Sequence, residues 1–229
     1  MINIYLRHSY YSPNSAIPNR QRPEWFDKFK VFNNLKSMLT SNCKLTVIYD
    51  THFGDNHLDK IYEGIPMFRT DCGTEAKSFL LGLDIICYED LADDEIIYFL
   101  EDDYLHREGW DEALIQGLAI SDYVSLYDHL DKYSHYPDLT SKILITEKCH
   151  WRTVPSTCNS YACTVKTLYE DMAIHKLYST QHNNGVSNDN EKFLHLGRNG
   201  KKLITPIPGF STHCDAYQSP IINWENYIK

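Results

Sequence analysis

No stretch of this sequence comes near the ~20 consecutive apolar residues of a membrane-spanning helix, so no integral membrane segment is expected. The opening, MINIYLRHSYYSPN, has neither the apolar centre nor the cleavage signal of a secretory leader, which makes cytoplasmic residence the default expectation. Dense Lys/Arg runs are missing too. GRNGKK at 197–202 comes nearest, and a turn with solvated lysines accounts for it. With a net charge of −9 the chain lacks the basic face that a nucleic-acid partner would need. None of the seven cysteines (Cys43, Cys72, Cys87, Cys149, Cys158, Cys163, Cys214) forms a C-x-x-C pair, which argues against a zinc cluster. Their odd number suits reduced thiols serving as small core residues. Internal repeats, low-complexity tracts and linkers are also absent, so one domain spanning 1–229 is expected.

What is present is the balance of a globular chain long enough for a sizeable core: 229 residues, 42% hydrophobic and 23% charged. The 17 tyrosines offer either ring surfaces for a polar, flat substrate such as a sugar or simple amphipathic packing. INIYLRH reads as a strand, and PEWFDKFKVFNNLKSML as a helix with Pro23 near its start and Trp25, Phe29, Phe32, Leu35 and Leu39 on one stripe. CKLTVIYD is a strand ending on Asp50, followed by a polar loop, THFGDNH. A helix follows Gly73, then the strand EIIYFLEDD, the helix GWDEALIQGLAI and the strand DYVSLYDH. This alternation predicts an α/β fold, with a Rossmann-like, mostly parallel central sheet and helices on both faces. The second half is less regular: KILITE and NSYACTV read as strands, VKTLYEDMAIHKLY and SNDNEKFLHL as helices, and the tail from ITPIPG as turns.

The chemistry concentrates where the apolar run Ile96–Leu100 delivers three carboxylates in succession, Glu101, Asp102 and Asp103. Adjacent negative charges at a strand end repel unless water or a cation offsets them. Ligands of open α/β sheets bind beyond the carboxyl ends of the strands, where Asp50 also lies. Mg²⁺ and Mn²⁺ take oxygen ligands, often one or two carboxylates with phosphate and water completing the shell. A solvated acidic turn ahead of the next helix is the alternative. Late in the chain, His213 in PIPGFSTHCD is a candidate nitrogen ligand for the same ion.

These residues resemble a known family. IIYFLEDDY is similar to the apolar strand and D-x-D motif, here E-D-D, of GT-A-type nucleotide-sugar-dependent glycosyltransferases. LTVIYD, SNDNEKFLHLGRNGKKLITPIP and STHCD stand in that family's order over nearly the whole chain. The resemblance implies a single GT-A-like domain, its first ~105 residues on the nucleotide side and 106–229 on the acceptor side. It implies Asp103 and His213 as ligands of Mn²⁺ or Mg²⁺, Glu101 facing the ribose or donor sugar, and Asp102 assisting through hydrogen bonds. Asp50 would meet the nucleoside, with Arg7 and His8 nearby at the first strand end, and Gly73, Thr74 and Ser78 would pack along the nucleotide, Glu75 among them. The general base of inverting members sits at a helix start in an E-D pair; here Asn188–Asp189 stands there, with Asn in place of Glu. Asp189 is the first candidate base and Glu191 the second. Trp151 and Arg152 are acceptor-side candidates, and 127–138 an acceptor loop.

The implied function is metal-dependent, inverting glycosyl transfer from a nucleotide sugar, UDP-sugars favoured, to a glycan or other hydroxyl acceptor. A nucleotidyltransferase is the alternative, although RHSYYSPNSAIPNRQRP lacks that class's glycine-rich phosphate loop. A non-catalytic sugar- or partner-binding module is a third reading.

Overall fold

Along β1 (Ile2–Ser9), β2 (Cys43–Asp50) and β4 (Ile96–Glu101) nearly every residue is buried, as strands covered on both faces require. In the computed structural model, which describes residues 1–11, 21–54, 62–180 and 185–228, these three strands lie side by side in the order β2-β1-β4. The remaining elements are α1 (Lys28–Ser37), β3 (Met67–Thr70), α2 (Glu75–Tyr88), β5 (Tyr104–His106), α3 (Trp110–Leu118), β6 (Tyr123–Val124) and α4 (Asp131–Ser134). They continue as β7 (Ile143–Ile145), β8 (His150–Thr153), β9 (Tyr161–Thr164), α5 (Val165–Thr180), α6 (Asp189–Arg198), β10 (Leu203–Ile207) and β11 (Ser211–His213), before a 3-10 turn at Trp224–Tyr227. The end of the loop THFGDNH, from Asp55, and residues 12–20 of the N-terminal stretch lie outside the described residues.

Nine strands form the sheet in the order β3-β2-β1-β4-β9-β6-β10-β8-β7, in which β8 and β9 run against the other seven. The expected mixed α/β architecture with a mostly parallel sheet and flanking helices is therefore observed. Alternating side chains build two cores. Ile2, Ile4, Leu6, Val47, Tyr98 and Leu100 pack with Phe32 and Leu35 of α1 and Trp110 and Leu114 of α3. Tyr5, Ile48, Ile97 and Phe99 pack on the other face with Phe79 and Leu83 of α2, Leu168 of α5 and Phe193 of α6.

Several expectations need correction. The first helix starts at Lys28, capped by Asp27, so Trp25 precedes it and packs with Cys214 and Trp224. Among the tyrosines, Tyr5, Tyr49, Tyr62, Tyr98, Tyr104, Tyr123 and Tyr161 are fully buried, so amphipathic packing accounts for them. The tail contributes β10 and β11, where only turns were expected.

Trp151 is wholly buried, its Nε1 donating to Thr146 Oγ1 at 2.9 Å. Gly117 of α3 makes room for it: a Cβ there would lie 2.8 Å from the indole and 2.9 Å from Val124 Cγ2. Overpacking of that kind costs ~1–3 kcal/mol. Gly117→Ala is expected to lower the unfolding free energy by that amount in urea denaturation, with an unchanged m-value.

Candidate active site

The sheet's carboxyl ends open into a cleft of about 300 Å³. Arg7, His8, Asp50, Gly73, Thr74, Ser78, Glu101, Asp102, Asp103, Asp189 and His213 all line it. Residues from six separate segments of the sequence thus meet in one place. Glu191, Trp151 and Arg152 do not line it. Glu191 lies in the first turn of α6, its backbone N–H donating to the Asn188 cap. Arg152 is held by the fully buried Asp128 at 2.5 Å and stacks on Tyr133, whose hydroxyl donates to the same carboxylate at 2.7 Å. In this structure Trp151 is therefore a packing residue, and Arg152 an ion-pair residue that fastens the 127–138 segment to β8.

Each carboxylate of the triplet is matched by a base from the first 28 residues. Parallel pairing sets Arg7 beside Glu101, and Arg7 Nη2 lies 3.2 Å from Glu101 Oε1. Lys28 of α1 reaches Asp102 at 2.6 Å and also donates to the Ser9 carbonyl. Arg22 reaches Asp103 Oδ2 at 2.6 Å. Burial opposes ionisation of all three acids. For Glu101 burial wins over Arg7, and its carboxyl is pushed up to about 7. For Asp102, Lys28 and His8 outweigh burial and hold it down to about 2. For Asp103, His213 and Arg22 outweigh burial and hold it well below the usual carboxylate range.

His213 arrives by a second, two-stranded sheet. β5 follows the triplet directly and pairs antiparallel with β11, so His213 stands opposite Tyr104 and the Cys214 N–H donates to the Asp103 carbonyl at 2.8 Å. His213 Nε2 then lies 2.9 Å from Asp103 Oδ2, and its Nδ1 lies 2.6 Å from Asp215 Oδ2. Burial disfavours the imidazolium, but these two carboxylates push its pKa up to about 10.

Asp50 serves the backbone. Its carboxylate accepts the N–H groups of His52, Cys72 and Gly73 at 2.9–3.1 Å, pinning the turn that leads into α2. Gly73 adopts φ +71°, in the left-handed region, and a Cβ would sit 3.1 Å from the His52 ring. Thr74 then caps α2 by accepting from Lys77 N–H. Glu75, the next residue, links both halves of the cleft: it accepts from Arg7 at 2.6 Å, Asn159 at 2.9 Å and the Ser187 N–H at 2.8 Å, just ahead of Asp189.

Pattern reading missed Arg22, Lys28, Asn159, Asp215 and Lys192. Lys192 is wholly buried, bonded to Asn159 Oδ1 and ringed by Phe79, Tyr161 and Phe193. Burial lowers its pKa to about 8. Only Asp215, two positions after His213, carried a sequence signal.

The residues suit a divalent cation only in part. Asp103 Oδ1 is buried with no hydrogen-bond partner among the described residues, whereas Oδ2 and both nitrogens of His213 are engaged. Among the described residues no group of three or more His, Cys, Asp and Glu side chains is disposed to hold a metal. A cation at Asp103 and His213 would therefore need phosphate and water for most of its shell.

The fold is the one shared by GT-A-type glycosyltransferases and nucleotidyltransferases. Similar solved structures include GalNAc-T7 with UDP, GalNAc and Mn²⁺, at 10% identity and a TM-score of 0.59 over 93% of this chain and 43% of that one. A 4-diphosphocytidyl-2C-methyl-D-erythritol synthase from Anaerococcus prevotii matches at 10% identity and 0.52, over 89% and 85%. A CMP:2-keto-3-deoxy-manno-octonic acid synthetase complexed with CTP matches at 13% and 0.48, over 89% and 88%. At identities this low, the two neighbours with TM-scores above 0.5 show a common architecture alone. No family model and no curated protein matches the sequence. No helix among the described residues is long and apolar enough to cross a membrane.

The Asp102 pairing yields a pH prediction. A depressed carboxyl contributes stability present above its unfolded value of 3.8 and lost as pH falls through about 2. That difference corresponds to about 2 kcal/mol. Lys28→Met is expected to move the acid-unfolding midpoint, followed by circular dichroism, to higher pH. An unmoved midpoint would assign the depression instead to His8, whose Nδ1 lies 2.8 Å from Asp102 Oδ2, and to the Ser9 N–H, which donates to the same oxygen at 3.0 Å.

Proposed function

We infer that the chain is a metal-assisted glycosyltransferase that moves a sugar from a nucleoside diphosphate to a hydroxyl acceptor with inversion. The observation that carries this reading is the Asp103–His213 contact at 2.9 Å, beside an Asp103 Oδ1 that has no hydrogen-bond partner among the described residues, in a cleft that Asp189 also lines. A divalent cation held by Asp103 and His213 would stabilise negative charge on the departing diphosphate. The chain's own residues would do the rest. Asp189, in the first turn of α6 where the helix N-terminus favours negative charge, accepts the proton of the attacking hydroxyl. Glu75 fixes the approach to α6 through the Ser187 N–H. Glu101 faces the ribose or sugar hydroxyls, steadied by Arg7 and by Ser160 Oγ, which donates to its carboxylate at 3.3 Å. Asp50 and Gly73 shape the nucleoside end.

Nucleotidyl transfer is the second reading. It is favoured by the architecture shared with the diphosphocytidyl synthase over 85% of that chain, against 43% for GalNAc-T7. The two reactions separate by product: transfer of sugar releases a nucleoside diphosphate, nucleotidyl transfer releases pyrophosphate.

A thermal-shift series with UDP plus Mn²⁺ against CTP plus Mg²⁺ tests which nucleotide the native state prefers; ligand at 100 times its Kd adds about 2.7 kcal/mol. UDP plus Mn²⁺ is expected to give the larger shift, and Asp103→Ala to abolish its metal-dependent part. Asp189→Asn is expected to leave the shift intact while cutting transfer at least ~100-fold, the usual worth of a positioned base. Wild-type turnover by Asp189→Asn would remove Asp189 from the mechanism, and a retained anomeric configuration in product NMR would overturn inversion.

A further inference from the structure

The three bases that match the acidic triplet are not equivalent. Arg7 is divided between Glu75 and Glu101, and Lys28 is directed at Asp102 and the Ser9 carbonyl. Only Arg22 shares a carboxylate with His213: its Nη2 sits 2.6 Å from Asp103 Oδ2, the oxygen that the imidazole also contacts. Its Nη1 donates to the Cys214 carbonyl at 2.9 Å, and its guanidinium stacks 4.7 Å from the Phe26 ring. It lines the cleft and keeps 18% of its side-chain surface exposed.

Resting on the reading of Asp103 as a metal ligand, we propose that Arg22 is the resident counter-ion of Asp103, displaced when a divalent cation binds and then taken up by the donor's diphosphate. The physical reason is charge. A divalent ion on Asp103 lies within a few ångströms of the guanidinium, and like charges at that distance in a partly buried site repel strongly. Arg cannot relieve this by losing its proton, so it must move. The cleft that it lines is where a diphosphate would lie, and its planar fork matches two phosphate oxygens in a way no point charge does. Metal alone must therefore compete with Arg22 for Asp103, whereas metal with diphosphate gives Arg22 a new partner. The two ligands bind synergistically as a result, each favouring the other by the same factor.

Isothermal titration of the full chain with Mn²⁺ alone, then with inorganic pyrophosphate at saturating Mn²⁺, tests this. Arg22→Ala and Arg22→Gln are expected to bind Mn²⁺ alone about tenfold more tightly than wild type, and pyrophosphate about tenfold more weakly. Arg22→Lys should stay close to wild type for Mn²⁺ alone. Asp103→Asn added to either variant should abolish the gain, tying it to that carboxylate. Unchanged or weaker Mn²⁺ binding by both variants, with wild type binding the ion, would overturn the proposal and leave the glycosyltransferase reading standing. Tighter Mn²⁺ with unaltered pyrophosphate affinity would overturn the hand-over to diphosphate. Failure of every form, wild type included, to bind Mn²⁺ would sink the metal reading and this inference together.

Discussion

Three adjacent carboxylates on a strand end that is largely shut off from water must be neutralised, or the strand cannot end there. Burial, reinforced by the nearby Asp103 and Glu75 carboxylates, pushes the Glu101 carboxyl up to about 7 despite Arg7, which shows how unfavourable the place is for a negative charge. The structure meets the demand locally, one base to one acid: Arg7 to Glu101, Lys28 to Asp102, Arg22 to Asp103. Sheet alternation sends these acids in different directions, so their bases come from different elements: a strand, a helix and the stretch between them. The cleft is shaped by that arrangement. Its floor is a lattice of charge in which a change at one carboxylate is felt by the others.

Around this floor the walls are set by backbone. Asp50 spends its carboxylate on three N–H groups and so positions the turn into α2. Glu75, the first residue of that helix, commits its own to Arg7, Asn159 and the approach to α6. The antiparallel pairing of β5 with β11 fixes His213 against Asp103. Residues whose types suggest ligand contact thus divide into those facing the open space and those holding the first group in place. Asp50 belongs largely to the second.

Much of this was legible from pattern. Long elements with strong periodicity, such as β1, β2, α2, β4 and α6, stood out because packing and period agree there, and the strand end at Glu101–Asp103 announced itself through its charge. Short strands did not. β5, β8 and β11 are three or four residues long and exist only because a partner lies alongside, while Pro206 and Pro208 gave β10 and β11 the look of turns. The bases were invisible for a related reason: Arg22 and Lys28 lie 81 and 74 positions from their acids, and no local rule connects them. Trp151 and Arg152 were misplaced because a tryptophan and an arginine look alike whether they line a groove or fill a core. The decisive facts, the glycine gap at Gly117 and the buried Asp128, belong to other parts of the chain.

The reach of those contacts has a temporal side. As the polypeptide leaves the ribosome, β4 and its acids emerge 110 residues ahead of His213, and Glu75 emerges 112 residues ahead of Ser187. Non-local pairings of this span form slowly and late. Through that interval Arg7, Arg22 and Lys28, all made before the acids, are already at hand to offset their charge. The cleft is therefore completed only when β11 has paired with β5 and brought His213 to Asp103.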